Sequence, residues 1–186
     1  INLATFTGMR RSELLGLRWL DLNLSRGTVS IVQVLRCLPG GRIVFEQPKT
    51  ARSKRLVKLS HETTLALRAY RDTVEADLEQ VGDSISGDRL LFSHINGAPL
   101  LPNTVTHAFA NIARRAGLEG FTFHSLRHTH ASIMLQQGVS SKTVAERLGH
   151  STVVITLDTY SHLTPGVKED AVDRFEEALR QAESPA

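Results

Sequence analysis

The sequence predicts an α+β domain, mainly helical, with a small antiparallel β-sheet of about three strands. Three observations predict it. First, a β-branched run at 28–34 is followed by the turn signal Leu38-Pro39-Gly40-Gly41 and by the apolar segment Arg42-Ile43-Val44-Phe45-Glu46, the pattern of a hairpin. Second, residues 55–59, Arg-Leu-Val-Lys-Leu, interleave basic and apolar side chains and could form a further strand. Third, most of the remaining chain carries apolar residues at three- and four-residue spacing, bounded by helix starts and stops. At 186 residues, 41% hydrophobic and 22% charged, the chain is long enough to bury one sizeable core.

In chain order, residues 2–19 read as helix with a break at Gly8. Leu14, Leu15 and Leu17 form its apolar face, and Ser12 or Thr7 is available as a cap. The β-rich stretch follows. Residues 61–81 read as a helix whose core candidates are Leu65, Leu67, Val74 and Leu78, with Tyr70 structural between them. Residues 82–97 read as a loop. Pro102 opens a helix that runs to Gly117, Gly138 closes another over 125–137, and Gly149 closes a third over 140–148. Residues 151–160 are ambiguous. Their β-branched core favours strand, whereas Val153, Val154, Leu157 and Tyr160 also fit a helical stripe. Residues 167–181 form an amphipathic helix with Val172, Phe175 and Leu179 on one face, and 183–186 read as a frayed tail.

Composition excludes several classes. No apolar run approaches the ~20 residues of a membrane helix, and the first residues do not read as a signal peptide. There is no initiator Met, so the chain reads as a fragment. The single cysteine, Cys37, permits no internal disulfide and no cysteine-ligated zinc site, and fits a reducing cytoplasm. The net charge is only +3, with a pI near 9.4. The charge is unevenly placed: Lys49, Arg52, Lys54, Arg55 and Lys58 fall within 48–61 without an acid, while acids gather at 75–83 and 169–177. One basic surface is therefore expected, of the kind that meets an anionic partner.

The strongest local feature is His124-Ser125-Leu126-Arg127-His128-Thr129-His130. On a helix, His124, Arg127 and His128 share one face. His130 falls instead on an apolar stripe with Leu126, Ile133 and Met134, the setting of a satisfied core histidine. A cationic fork beside an imidazole suits holding and protonating a phosphate. The same spacing also fits a surface pair with no task. His124 and His128 have metal-pair spacing, which His150 or Asp158 could complete, but the glutamate of an H-E-x-x-H motif is missing. Arg10 lies at the helix break near a helix N-terminus, where an anion could bind, or where it could simply pair with Glu13. His150 follows the helix-closing Gly149 and points away from the helix. Tyr160 precedes the helix-breaking Thr164-Pro165-Gly166, a boundary at which a tyrosine can be mobile and exposed, or half-buried as packing.

In order and spacing, Thr7-Gly8-Met9-Arg10-Arg11-Ser12-Glu13, Lys49-Thr50, His124-Ser125-Leu126-Arg127-His128-Thr129, Leu148-Gly149-His150 and Tyr160-Ser161-His162 together resemble the catalytic domain of the tyrosine recombinases, the phage-integrase family. The resemblance covers nearly the whole chain and extends more remotely to type IB topoisomerases. It implies that 1–182 form a catalytic domain lacking the family's N-terminal DNA-gripping domain, so that this fragment binds DNA weakly. It implies that 151–160 are helical. It implies Tyr160 as nucleophile on the scissile phosphodiester, Arg10 and Arg127 as clamps on its non-bridging oxygens, and His124 as the proton partner of the tyrosine. Lys49 becomes the acid for the leaving 5′-hydroxyl and His150 a phosphate ligand. Arg11, Arg52, Lys54, Arg55 and His128 are the further expected DNA contacts.

The implied function is integration or excision of a phage or mobile element through a 3′-phosphotyrosyl intermediate, without cofactor or metal. The implied partners are double-stranded DNA attachment sites, three further copies on paired sites, and accessory directionality proteins. The isolated domain is expected to be a monomer in the bacterial cytoplasm, nucleoid-associated while acting, with the 167–181 helix docking either on a neighbour or on its own core. The rivals are a topoisomerase-like or chromosome-resolving enzyme, a non-catalytic DNA-binding module of the same fold, and a metal hydrolase on His124, His128 and His150.

Overall fold

The computed structural model describes residues 1–48 and 50–160. The expected Lys49 site, the 167–181 helix and the 183–186 tail lie outside the described residues. Seven α-helices and five short strands occur among those described: α1 Asn2–Thr7, α2 Arg11–Gly16, β1 Leu22–Asn23, β2 Thr28–Ile31, β3 Val34–Cys37, β4 Ile43–Glu46, β5 Arg55–Lys58, α3 His61–Glu79, α4 Pro102–Arg115, α5 Phe123–Gln136, α6 Ser141–Leu148 and α7 Val153–Tyr160.

The mainly helical α+β architecture is as expected, but the β-rich segment is divided differently. The 28–34 run is two strands, not one. β2 is the centre of a three-stranded antiparallel sheet, β1-β2-β5, with Val29 opposite Val57 and Ile31 opposite Arg55. β3 forms the expected hairpin with β4 across the Leu38–Gly41 turn, as a separate two-stranded ribbon. The break is imposed by α2. At Gly16 the chain passes so close to β3 that a Cβ would stand 3.0 Å from the Gln33 carbonyl oxygen and the Val34 Cα. The Gln33 side chain then donates to the Gly16 carbonyl at 2.7 Å. The first helical region also stops earlier than expected, at Gly16. Its second half is capped by Glu13, reaching back to the Arg10 backbone, and not by Ser12 or Thr7.

The main core gathers Leu14 and Leu17 from the α2 region, Val29, Ile31 and Val57 from the sheet, Leu67 from α3, Phe109 from α4 and Phe123 and Leu126 from α5. Each fully buried aliphatic side chain of this kind contributes about 1.5–3 kcal/mol. Leu67 and Leu78 are buried as expected. Leu65 and Ile133 are exposed, each lying on the outer side of its helix. Tyr70 is structural: it stacks on Trp19 and its hydroxyl donates to the Leu91 carbonyl.

A smaller core of Ala131, Leu135, Val144, Leu148 and Tyr160 joins α5, α6 and α7. This core decides the 151–160 segment. Helix lets Thr156 and Tyr160, one turn apart, face α6 together, and both are buried. An isolated strand there would bury only alternate residues and leave its backbone unpaired.

Candidate active site

Two αL turns bring the candidate residues together. Gly8 ends α1 with φ 65° and Gly149 ends α6 with φ 68°. Arg127, on the second turn of α5, is 4% exposed. Its guanidinium donates to the Gly8 carbonyl at 2.7 Å and to the Leu148 carbonyl at 2.9 Å, clasping the two turns. Arg10 caps α2 beside the first turn and donates to the Gly149 carbonyl at 3.3 Å. Burial, and then the Arg10 charge, push the Arg127 guanidinium below its ordinary range. Two arginines crowded at one spot is an arrangement that a bound anion relieves.

Glu13 holds this pair in place. It is 1% exposed and accepts from the Arg10 backbone at 2.9 Å and the Arg10 guanidinium at 2.8 Å. It also takes a bidentate pair from Arg55 at 3.0 and 2.9 Å. Burial pushes its carboxyl up, but the hydrogen bond and charge of Arg55, together with Arg10, hold it below the usual value.

This corrects the expectation for Arg55 as a DNA contact. Its side chain is 7% exposed, and its remaining bonds go to the Arg147 and Ser53 carbonyls. Arg11 is likewise turned inward, onto the Pro102 carbonyl and the Thr106 hydroxyl of α4. Arg52 and Lys54 remain on the exposed basic turn. Arg52 donates to the Ser151 carbonyl at 2.7 Å and Lys54 to the Gln47 side chain at 2.7 Å. A cavity of about 400 Å³ lies between that turn and Arg10, lined also by Thr50, Ser53, Gly149 and Ser151.

His150 follows Gly149 as expected. Its Nδ1 lies 2.8 Å from the Thr156 hydroxyl. Burial, then the charges of Arg127, Arg10 and Arg55, lower its pKa to about 4, so the ring is neutral at neutral pH. His124 is also pushed down, by burial and then by His128, Arg127 and Arg10. It meets His128 edge to face, with ring centroids 4.7 Å apart.

Tyr160 ends α7. It is 5% exposed, which differs from the mobile, exposed tyrosine that its boundary position suggests. The phenol ring fills the smaller core, and its hydroxyl lies 2.8 Å from His128 Nδ1. Burial raises the phenol pKa while the Arg127 charge opposes the rise. The histidine touching the hydroxyl is therefore His128, one turn beyond the expected His124. His130 is the satisfied histidine that its apolar stripe implied: Nδ1 faces the Thr5 carbonyl at 3.0 Å and Nε2 accepts from Arg147 at 3.1 Å.

Three residues escape a sequence reading of the site. Glu13 has a weak signal, its place three residues after the Arg10 cap. Thr156 and Arg147 have none, because their partners are distant in the sequence or across a turn. Among the described residues, no group of three or more His, Cys, Asp or Glu side chains is arranged to hold a metal.

Gly149 is a direct test of this packing. A Cβ there would stand 2.6 Å from the Arg55 guanidinium, at a positive φ. Gly149→Ala is expected to lower stability by about 1–3 kcal/mol, read as a lower urea midpoint at unchanged slope.

Comparison with known proteins identifies the family and the fold. A sequence model described as the phage integrase family matches residues 1–166. A tyrosine recombinase XerC-like protein of Caldanaerobacter subterraneus subsp. tengcongensis is 30% identical, over 92% of this chain and 46% of that protein. The ICEBs1 integrase of Bacillus subtilis is 27% identical, over 96% of this chain and 48% of that protein. The chain thus spans about half the length of these relatives. The structure of the Tn1549 transposon integrase in complex with transposon right end DNA superposes with a TM-score of 0.77 at 22% identity, over 93% of this chain and 56% of that one, so the two share a fold.

Proposed function

Because the chain belongs to the phage integrase family, we propose that it is the catalytic domain, 1–182, of a site-specific recombinase that cuts and rejoins double-stranded DNA to integrate or excise a mobile element. One observation carries this reading. Arg10 and Arg127, from separate segments, meet at the Gly8 and Gly149 turns beside His150, and Tyr160 bonds His128, the neighbour of Arg127 on α5.

Tyr160 Oη attacks the phosphorus and forms a 3′-phosphotyrosyl bond, and the 5′-oxygen leaves. A free tyrosine has a pKa of about 10 and is mostly neutral at pH 7, so its proton needs an acceptor. The imidazoles of His128 and His124 are at hand. Arg10 and Arg127 offset the charge that grows on the non-bridging oxygens, and His150 donates a hydrogen bond to one of them. Lys49 is assigned the proton for the leaving oxygen by its place in the residue pattern. The phosphotyrosyl bond conserves the energy of the phosphodiester, so a 5′-hydroxyl of another strand can reverse the step without ATP. Arg52 and Lys54 contact backbone phosphates, which makes binding strongly salt-dependent. Four copies on paired sites, with accessory directionality proteins, complete the reaction in the cytoplasm at the nucleoid.

The test is covalent trapping. The chain, alone and joined to the DNA-gripping domain of a relative, is incubated with nicked duplex DNA in EDTA and run on a denaturing gel. A protein–DNA adduct that survives chelation and disappears in Tyr160→Phe is expected. An adduct that persists in Tyr160→Phe, or one that requires a metal ion, rejects the reading.

A further inference from the structure

We propose that Thr156 is a positioning residue that donates its hydroxyl proton to His150 Nδ1 and thereby keeps the ring proton on Nε2, where it can face a scissile phosphate. The phosphate role of His150 rests on the function proposed above. The proton assignment rests on the geometry alone.

A neutral imidazole has one N–H, and the partner of one nitrogen decides which nitrogen carries it. His150 Nδ1 has one partner among the described residues, the Thr156 Oγ1 at 2.8 Å. Thr156 is 0% exposed, so its hydroxyl proton must find an acceptor inside the protein. Threonines in helices commonly donate to the carbonyl four residues back. Thr159, on the exposed side of α7, does so, to Ile155 at 2.7 Å. Thr156 makes no such bond, and Nδ1 is the acceptor within reach.

If Nδ1 carried the proton instead, the threonine would accept. A buried hydroxyl proton would then be left unpaired, which folded proteins rarely tolerate. The doubly protonated ring, in which both nitrogens donate, is disfavoured by burial and by the charges of Arg127, Arg10 and Arg55. The remaining arrangement places the ring N–H on Nε2, as a ligand to a phosphate oxygen requires.

The placement also links two functions of α7. Thr156 and Tyr160 lie one turn apart on its buried face. One bonds His150 and the other bonds His128. The helix that presents the tyrosine thus also holds the partner of the phosphate histidine.

The experiment is ¹⁵N NMR of the histidine rings in the chain, with His150 assigned through His150→Gln, comparing the parent with Thr156→Val and Thr156→Ser. The parent is expected to show Nε2 protonated and Nδ1 unprotonated, with Nδ1 displaced toward the range of a nitrogen that accepts a hydrogen bond. In Thr156→Val that displacement should vanish and both nitrogens move toward the tautomer-averaged range. Thr156→Ser should restore the parent pattern. Adduct formation should fall about tenfold in Thr156→Val, the lower end of what second partners of functional histidines contribute, and recover in Thr156→Ser. A parent with Nδ1 protonated overturns the proposal, as does a Thr156→Val spectrum identical to the parent. If the spectra behave as expected but the parent joined to a relative's DNA-gripping domain binds its DNA tightly and forms no adduct, the recombinase reading fails and the proton assignment stands.

Discussion

Arg127→Lys is expected to slow covalent adduct formation by about 10²–10³-fold, the typical loss when one donor to a developing oxyanion is removed. Charge alone does not explain the expectation, since lysine keeps the charge. The guanidinium fork spans the Gly8 and Leu148 carbonyls at 2.7 and 2.9 Å. A single ammonium cannot reproduce that planar span. One of the two turns then loses its donor, and with it the fixed placement of Arg10 and His150. On the proposed mechanism two losses therefore coincide, a weaker contact with the phosphate and a looser frame for its neighbours. Single-turnover rates on nicked duplex DNA measure the effect, with DNA affinity measured separately. An Arg127→Lys protein reacting within about threefold of the parent would contradict an oxyanion role for the fork.

Glu13→Gln is expected to lower the unfolding free energy by about 3–5 kcal/mol at neutral pH, the cost of breaking a buried ion pair from one side. The glutamine presents one acceptor oxygen where the carboxylate presents two, and its NH₂ faces guanidinium donors. Arg55, 7% exposed, keeps its charge without a counter-ion. The loss depends on pH with a definite sign. The folded carboxyl is held below its ordinary value of 4.5, so its contribution is fully present above that value and fades as pH falls through the lower folded one. The parent and Glu13→Gln should therefore converge in stability on acidification. Urea titrations at neutral pH, and again at successive steps below the ordinary carboxyl range, read this directly. A gap that stays constant or widens toward acid would show that the pair is not what Glu13 contributes.

The same pair explains why the fate of Arg55 is hidden in the sequence. There it is one of five basic residues between Pro48 and His61, and nothing local separates it from Arg52 or Lys54. The separation comes from strand pairing. β5 aligns with β2, Arg55 opposite Ile31, and this carries its side chain to Glu13, 42 positions earlier. Arg11 is a similar case, because its partners Pro102 and Thr106 belong to a helix that follows much later. Tyr160 stands out in the sequence by its place in the residue pattern. Its burial and its bond to His128 are not, since both depend on how α7 settles against α5 and α6.

Local signals are enough to read the family, the helical and β-rich regions, the turns at Gly8 and Gly149, and Arg10, Arg127, His150 and Tyr160 as candidates. Caps, breakers, periodicity and short motifs keep their order along the chain whatever the fold does with them. Which charges are spent internally and which face outward emerges only when the elements pack. So does the choice of histidine that touches the tyrosine, and of the hydroxyl that partners His150. The physical reason is that each of these is settled by desolvation. A charged or hydroxyl group that loses water must take the nearest complementary partner, and that partner is set by the packing of segments far apart in the chain.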